Sequence, residues 1–239
     1  MVCGNASVLR KGARGRCRSR NGHTEVVEML LECGATVMNK NASGETALFG
    51  AAGNGHLDAV KLLIATDKKN TRAPKDAISG EDATARTLVN QRNGYRITAL
   101  VYAARNGHGQ VVEYLIRSGT SAHAENSTGK TPHLAAARNG DAEVVNLLTP
   151  VIKSRLNALR PPHRVAVRNG HVGVVTVLLK KYNYKRDTNT LAESPLNVAA
   201  QHGHANIAEL LIENDASRTR SPTTVTLFSG TTGASMRHT

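Results

Sequence analysis

Tryptophan is absent from this chain and phenylalanine occurs only twice, so aromatic residues make up 3% of it. A core without large rings must be built from Ala, Val, Leu and Ile, which suits small helices packed closely better than a sandwich or barrel. Cysteine is scarce as well. Cys3, Cys17 and Cys33 cannot supply a disulfide framework and lack zinc-finger spacing. Free thiols fit a reducing compartment, where the sequons at Asn5, Asn41 and Asn126 carry no meaning. No apolar run approaches the roughly 18 residues that cross a bilayer, and Met1–Arg20 has no apolar stretch of the kind a secretory signal needs. The expectation is a cytoplasmic protein, with the nucleus as the alternative location, neither secreted nor transmembrane. Glycine-rich phosphate loops, HExxH and paired catalytic carboxylates are also missing, and nothing activates a particular serine. The chain is therefore expected to be no enzyme and to need no cofactor and no metal.

Acidic residues are missing from two stretches. The net charge is +13 over 239 residues, yet residues 1–20 carry six Lys/Arg and no acid, and residues 150–186 carry nine and no acid. Residues 187–216 then carry five acids and no Lys/Arg. Basicity thus sits in an N-terminal arm and one internal block.

What is present is a repeat. Asn-Gly-His occurs at 21–23, 54–56, 106–108 and 169–171, with variants at 139–141 and 202–204. The glycines Gly22, Gly55, Gly107, Gly140, Gly170 and Gly203 are separated by 33, 52, 33, 30 and 33 residues. Regular self-similarity of this length marks a stacked array. After each glycine come apolar pairs such as Val111-Val112 and Val144-Val145, then Leu62-Leu63-Ile64 or Leu210-Leu211-Ile212. That spacing lines one face of a short helix. A helix of about eight residues does not hold alone in water, so stacking must stabilise it. Nine residues before the glycine stand Thr46, Thr98, Thr131 and Ser194, expected to cap a preceding helix with their hydroxyls. Pro132, Pro162 and Pro195 suit its first turn, and Ala51-Ala52, Ala103-Ala104, Ala136-Ala137 and Ala199-Ala200 keep it thin. Thin helices on one side and bulkier ones on the other are expected to bend the stack into a concave face. The recurring His23, His56, His108, His171 and His204 read as a requirement of the turn rather than as metal ligands or catalysts.

These units resemble ankyrin repeats. The family's Thr-Pro-Leu-His-x-Ala-Ala signature stands best as Ser194-Pro195-Leu196-Asn197-Val198-Ala199-Ala200, and again as Thr46–Ala52 and Thr98–Ala104; in Thr131-Pro132-His133-Leu134 the Leu and His have changed places. Gly34-Ala35, Gly119 and the tip sequences Asn41–Gly44 and Asn126–Gly129 also match. The resemblance covers roughly residues 20–216 and implies an all-α ankyrin-repeat solenoid of helix–turn–helix units with short hairpin-like connecting loops. The expected division is a disordered basic arm at 1–20, repeats at about 21–43, 44–66, 96–128, 129–158, 159–191 and 192–216, a solvated insertion at 67–95, and a flexible Ser/Thr/Gly-rich tail at 217–239. The first copy lacks an apolar first helix, the fourth runs through Pro150, and the Arg160–His163 junction reads as irregular.

The implied function is protein–protein recognition by a monomeric, non-catalytic scaffold. The implied contact residues lie at hairpin tips and on the exposed side of each first helix: Lys40, Asn41, Ser43 and Glu45; Asn93 and Arg96; Glu125, Asn126, Ser127 and Lys130; and Arg105, Arg138, Arg168 and Gln201. The rival lead is the basic block of Lys153, Arg155, Arg160, Arg164, Arg168, Lys180, Lys181, Lys185 and Arg186. It reads as a solvated face, as a dock for an acidic protein, or as an electrostatic binder of nucleic acid or anionic membrane. Scarce aromatics weigh against nucleic acid. A detached repeat segment of a larger signalling protein or enzyme is the remaining alternative.

Overall fold

The computed structural model describes residues 24–70, 87–152, 162–181 and 194–219. The N-terminal arm, His23, the Arg160-Pro161 half of the fourth junction and the tail beyond residue 219 lie outside them. Eleven α-helices are described: α1 (Thr24–Glu32), α2 (Ala47–Gly53), α3 (Leu57–Asn70), α4 (Ala99–Arg105), α5 (Gly109–Arg117), α6 (Pro132–Asn139), α7 (Ala142–Ile152), α8 (Pro162–Arg168), α9 (Val172–Lys181), α10 (Pro195–Gln201) and α11 (Ala205–Thr219). A 3₁₀ turn, Leu88–Asn90, precedes α4. No strand occurs among the described residues.

The helices form two layers. The first helices pack in series, α2 on α4, α4 on α6, α6 on α8 and α8 on α10. The second helices follow in parallel order: α1 on α3, then α5, α7, α9 and α11. One continuous core runs through both layers. Small side chains let the first helices approach, with Ala51, Ala52, Ala103, Ala104, Ala136, Ala137, Ala166 and Ala199 all buried. The second helices fill the space with Val60, Leu63, Val111, Val112, Leu115, Val144, Val145, Leu148, Val174, Val175 and Leu178. Each such Val or Leu contributes about 1.5–3 kcal/mol on burial, and only a neighbouring repeat can bury it.

The loops before α2, α4 and α6 repeat one construction. Asn41, Asn93 and Asn126 each receive the backbone N–H of the residue three positions on, and their own N–H reaches the carbonyl four positions on, at 2.9, 3.0 and 3.1 Å. In each, the side-chain Oδ1 accepts two more backbone N–H groups: Ser43 and Glu45, Tyr95 and Ile97, Thr128 and Lys130. An asparagine that satisfies its own turn in this way makes the bend rigid. Adjacent tips are joined by Gly94 N–H to Ser43 O (2.9 Å) and Ser127 N–H to Tyr95 O (3.2 Å).

Several expectations are corrected. The solvated insertion does not span 67–95. Helix α3 continues to Asn70, Asp67 is buried and accepts the Leu88 N–H at 3.1 Å, and Leu88 and Val89 enter the core. Val89 stands at the same distance before Thr98 as Val37 does before Thr46, so the third hairpin begins inside the stretch read as insertion. Hydroxyl capping holds at Thr131 and Ser194, which accept from Leu134 and Asn197 N–H at 3.2 Å. It fails at Thr46 and Thr98. There the backbone carbonyl of the threonine takes the N–H of Phe49 or Val101 instead, leaving both buried hydroxyls unpartnered. Finally, α11 runs to Thr219, past the expected start of the tail.

Candidate partner-binding surface

The Asn-Gly-His turns at 106–108 and 169–171 join one repeat to the one before it. Asn106 Nδ2 and His108 Nε2 both donate to the carbonyl of Gly53, at the end of α2. Asn169 and His171 bond the Arg138 carbonyl at 3.0 and 2.9 Å, and His204 bonds the Arg168 carbonyl at 3.1 Å. The last carbonyls of a helix lack intrahelical partners, so these side chains satisfy groups that would otherwise be orphaned. The glycine is required twice over. Gly140 has φ 87°, and a Cβ there would lie 2.6 Å from His171 Nδ1. His108, His171 and His204 are thus inter-repeat connectors. Among the described residues no three His, Cys, Asp or Glu side chains gather as a metal would need.

His133 is different. It lies buried in α6 with Nε2 3.3 Å from Thr149 Oγ1, whose hydroxyl donates to Val145 O at 2.6 Å. Burial lowers its pKa from 6.5 to about 4. The imidazole is neutral and has no charge to relay.

The expected contact residues divide into two groups. Asn93 is only 5% exposed, and with Asn41 and Asn126 its side chain is committed to the hairpin bend. Glu45 is engaged as well, accepting from Tyr102 Oη at 2.7 Å, Asn41 Nδ2 at 3.2 Å and Asn93 Nδ2 at 3.4 Å. The side chains of these four hold the tips together. Lys40, Ser43, Arg96, Glu125 and Ser127 are exposed at the tips, and Lys130 is half-buried. Arg105, Arg138, Arg168 and Gln201 are exposed near the C-terminal ends of α4, α6, α8 and α10. Sequence reasoning passed over Arg92 and Tyr95. Tyr95 is 64% exposed, and its neighbour Arg96 has φ 59° where the other tips place Gly44 and Gly129. A non-glycine residue in that region costs about 1 kcal/mol. The visible signal was an arginine where the pattern wants glycine.

The described residues of the basic block lie on two adjacent helices. Arg164 and Arg168 lie on the first helix α8, whereas Lys180 and Lys181 close the second helix α9, where the helix dipole favours cations. Lys153, Arg155, Arg160, Lys185 and Arg186 lie outside the described residues.

Short helix pairs, stacked in two layers and linked by asparagine-built hairpins, define a helix–turn–helix solenoid. The family description "Ankyrin repeats (3 copies)" matches residues 17–74, 75–158 and 151–221. The chain belongs to the ankyrin-repeat family. It is 35% identical over 127 residues to human ankyrin repeat domain-containing protein 63, covering 52% of this chain and 28% of that protein. It is 33% identical over 96 residues to mouse protein fem-1 homolog A-like, covering 40% of this chain and 12% of that protein. It is 30% identical over 125 residues to the Arabidopsis thaliana E3 ubiquitin-protein ligase XBAT33, covering 52% and 21%. The chain thus spans between 12% and 28% of the length of these three relatives. No helix among the described residues is long and apolar enough to cross a membrane.

Proposed function

We propose that this chain is a non-catalytic scaffold that binds another protein along its hairpin tips and the exposed ends of its first helices. Ankyrin repeats are in general protein-interaction modules, which supports the coarse reading. The observation that carries the finer one is the hairpin construction: the tip backbones are fixed to one another while Lys40, Ser43, Tyr95, Arg96 and Ser127 point into solvent. A surface ordered before binding avoids the entropy that a flexible loop loses on contact. In this reading the protein works as a monomer in the cytoplasm or nucleus, whether the repeats act alone or within a larger assembly of domains.

Site-directed photo-cross-linking tests it. A photoreactive residue placed at Ser43 or Ser127 is expected to give an adduct with a captured protein, and one at Lys61 on α3 is expected to give none. Adducts only at Lys61 would show that the second-helix side does the binding. The competing electrostatic reading rests on nine Lys/Arg without an acid in residues 150–186. It expects oligonucleotide affinity that falls steeply with salt and vanishes in Lys180→Glu/Lys181→Glu/Lys185→Glu.

A further inference from the structure

We infer that the Arg105–Arg138–Arg168 row, at the C-terminal ends of the first helices, takes an extended acidic segment of a protein partner, and that the Tyr95 ring at the Arg92–Arg96 tip, beyond the opposite end of α4, anchors an apolar residue where that segment continues. The inference rests on the scaffold reading above and names the chemistry of the partner.

Arg105, Arg138 and Arg168 each stand two residues before a turn glycine, on helices α4, α6 and α8, which are successive neighbours in the first layer. All three are exposed, and among the described residues no ion pair holds any of them. Asp141, the acid that follows Arg138, directs Oδ1 at the Val144 N–H at 3.0 Å. Neighbouring helices lie about 10 Å apart, and three residues of extended chain span about the same distance. One arginine per helix therefore matches one carboxylate every third residue of a strand laid across the helices. Three positions before each arginine, on the same helix face, stand the half-buried Tyr102, Ala135 and Val165. They give the intervening side chains an apolar floor.

The tip supplies the anchor. Tyr95 is the one exposed aromatic among the described residues. Its backbone is held by Asn93 Oδ1 (3.0 Å) on one side and by the Ser127 N–H (3.2 Å) on the other, so its position is set in advance. Arg92 and Arg96 flank it, both exposed and without an ion pair among the described residues. Tyr and Arg are the residue types that dominate interface energetics, and a solitary ring between cations suits an acidic chain better than a stack of bases. The strained Arg96 fits the same account, because glycine would relax the turn but lose the charge.

The test uses the full chain and a fluorescein-labelled peptide of about fifteen residues, with glutamate at every third position and leucine and serine between. Titration is expected to saturate, and affinity is expected to weaken as salt rises. Arg105→Gln, Arg138→Gln and Arg168→Gln should each weaken binding about threefold, and Tyr95→Ala about tenfold. Arg96→Gly gives the sharpest readout: its melting temperature should rise while its affinity falls about threefold. Circular dichroism checks that the variants remain folded. The inference is overturned if these variants bind the peptide as well as the parent, if a lysine-for-glutamate peptide binds equally, or if a single-stranded oligonucleotide binds more tightly. Cross-links at Ser43 or Ser127 to a partner whose binding ignores the arginine variants also overturn it, and leave the scaffold reading standing.

Discussion

His133 stands where two other repeats place Leu48 and Leu100, and Thr149 stands where they place Ile64 and Ile116. The two polar residues meet in the interior of the fourth copy, the imidazole 3.3 Å from the threonine hydroxyl. Burial holds the folded-state pKa near 4, below the ordinary 6.5. The unfolded chain therefore takes up a proton as pH falls through about 6.5, whereas the folded chain does so only near 4. Between those values the unfolded state binds more protons, so stability falls as pH falls, by up to about 3 kcal/mol in all. Above that window the histidine contributes no pH dependence. His133→Leu is expected to raise the melting temperature at neutral pH and to flatten the decline between pH 6.5 and 4, as read from urea unfolding across that range. Thr149 keeps its bond to Val145 O in the variant, so no polar atom is stranded. An unchanged acid slope would mean that another group carries it.

The hairpins and the helix starts show how a shared sequence pattern divides into different local solutions. Thr98 and Thr131 occupy equivalent positions, yet Thr131 caps α6 through its hydroxyl and Thr98 buries a hydroxyl with no partner. Thr98→Val should thus stabilise the protein by about 1 kcal/mol, whereas Thr131→Val should cost about 1 kcal/mol. Chemical denaturation of both variants decides it. Asn93→Ala removes an acceptor from the Tyr95 and Ile97 N–H groups in a buried turn and should cost about 2 kcal/mol. At the half-exposed Asn126 water can replace the lost oxygen, so Asn126→Ala should cost less. The helix pairs were legible because spacing alone marks them: alanines before the glycine, valines and leucines after it. The choice between hydroxyl and carbonyl at a cap was not legible, since both satisfy one N–H and only the helix entry geometry distinguishes them. Asn93 and Glu45 were read as contacts because they are polar at a tip, whereas their bonds to Tyr95, Ile97 and Tyr102 exist only once the tip has folded. The third hairpin was partly hidden because its usual glycine is Arg96, so the stretch before it read as a loop although Leu88 and Val89 belong to the core.

Along the whole stack, stability is a sum over neighbours, and a weak layer matters according to where it sits. At the C-terminal side of the described stack, Leu196 is 40% exposed and Ile212 55% exposed, although their counterparts Leu100 and Ile64 are buried. The end helices, α1 and α2 on one side and α10 and α11 on the other, have a neighbour in their layer on one side only among the described residues, so their amides should exchange sooner than those of α4 to α7. The His133–Thr149 layer lies in α6 and α7, the last pair of that protected region before α8. At neutral pH it is satisfied and couples the two sides. Once the pH drops below the ordinary histidine range, every opening that exposes His133 is favoured by proton uptake, and the layer becomes the place where the stack divides. Hydrogen exchange at about pH 5 is then expected to show α8 to α11 opening together at lower free energy than α2 to α5, with α6 and α7 following the weaker side. In His133→Leu the same measurement should show the gradient of the ends alone. Equal loss of protection along the whole stack on acidification would mean that the repeats unfold as one unit despite the polar layer, and that the connectors at His108, His171 and His204 outweigh it.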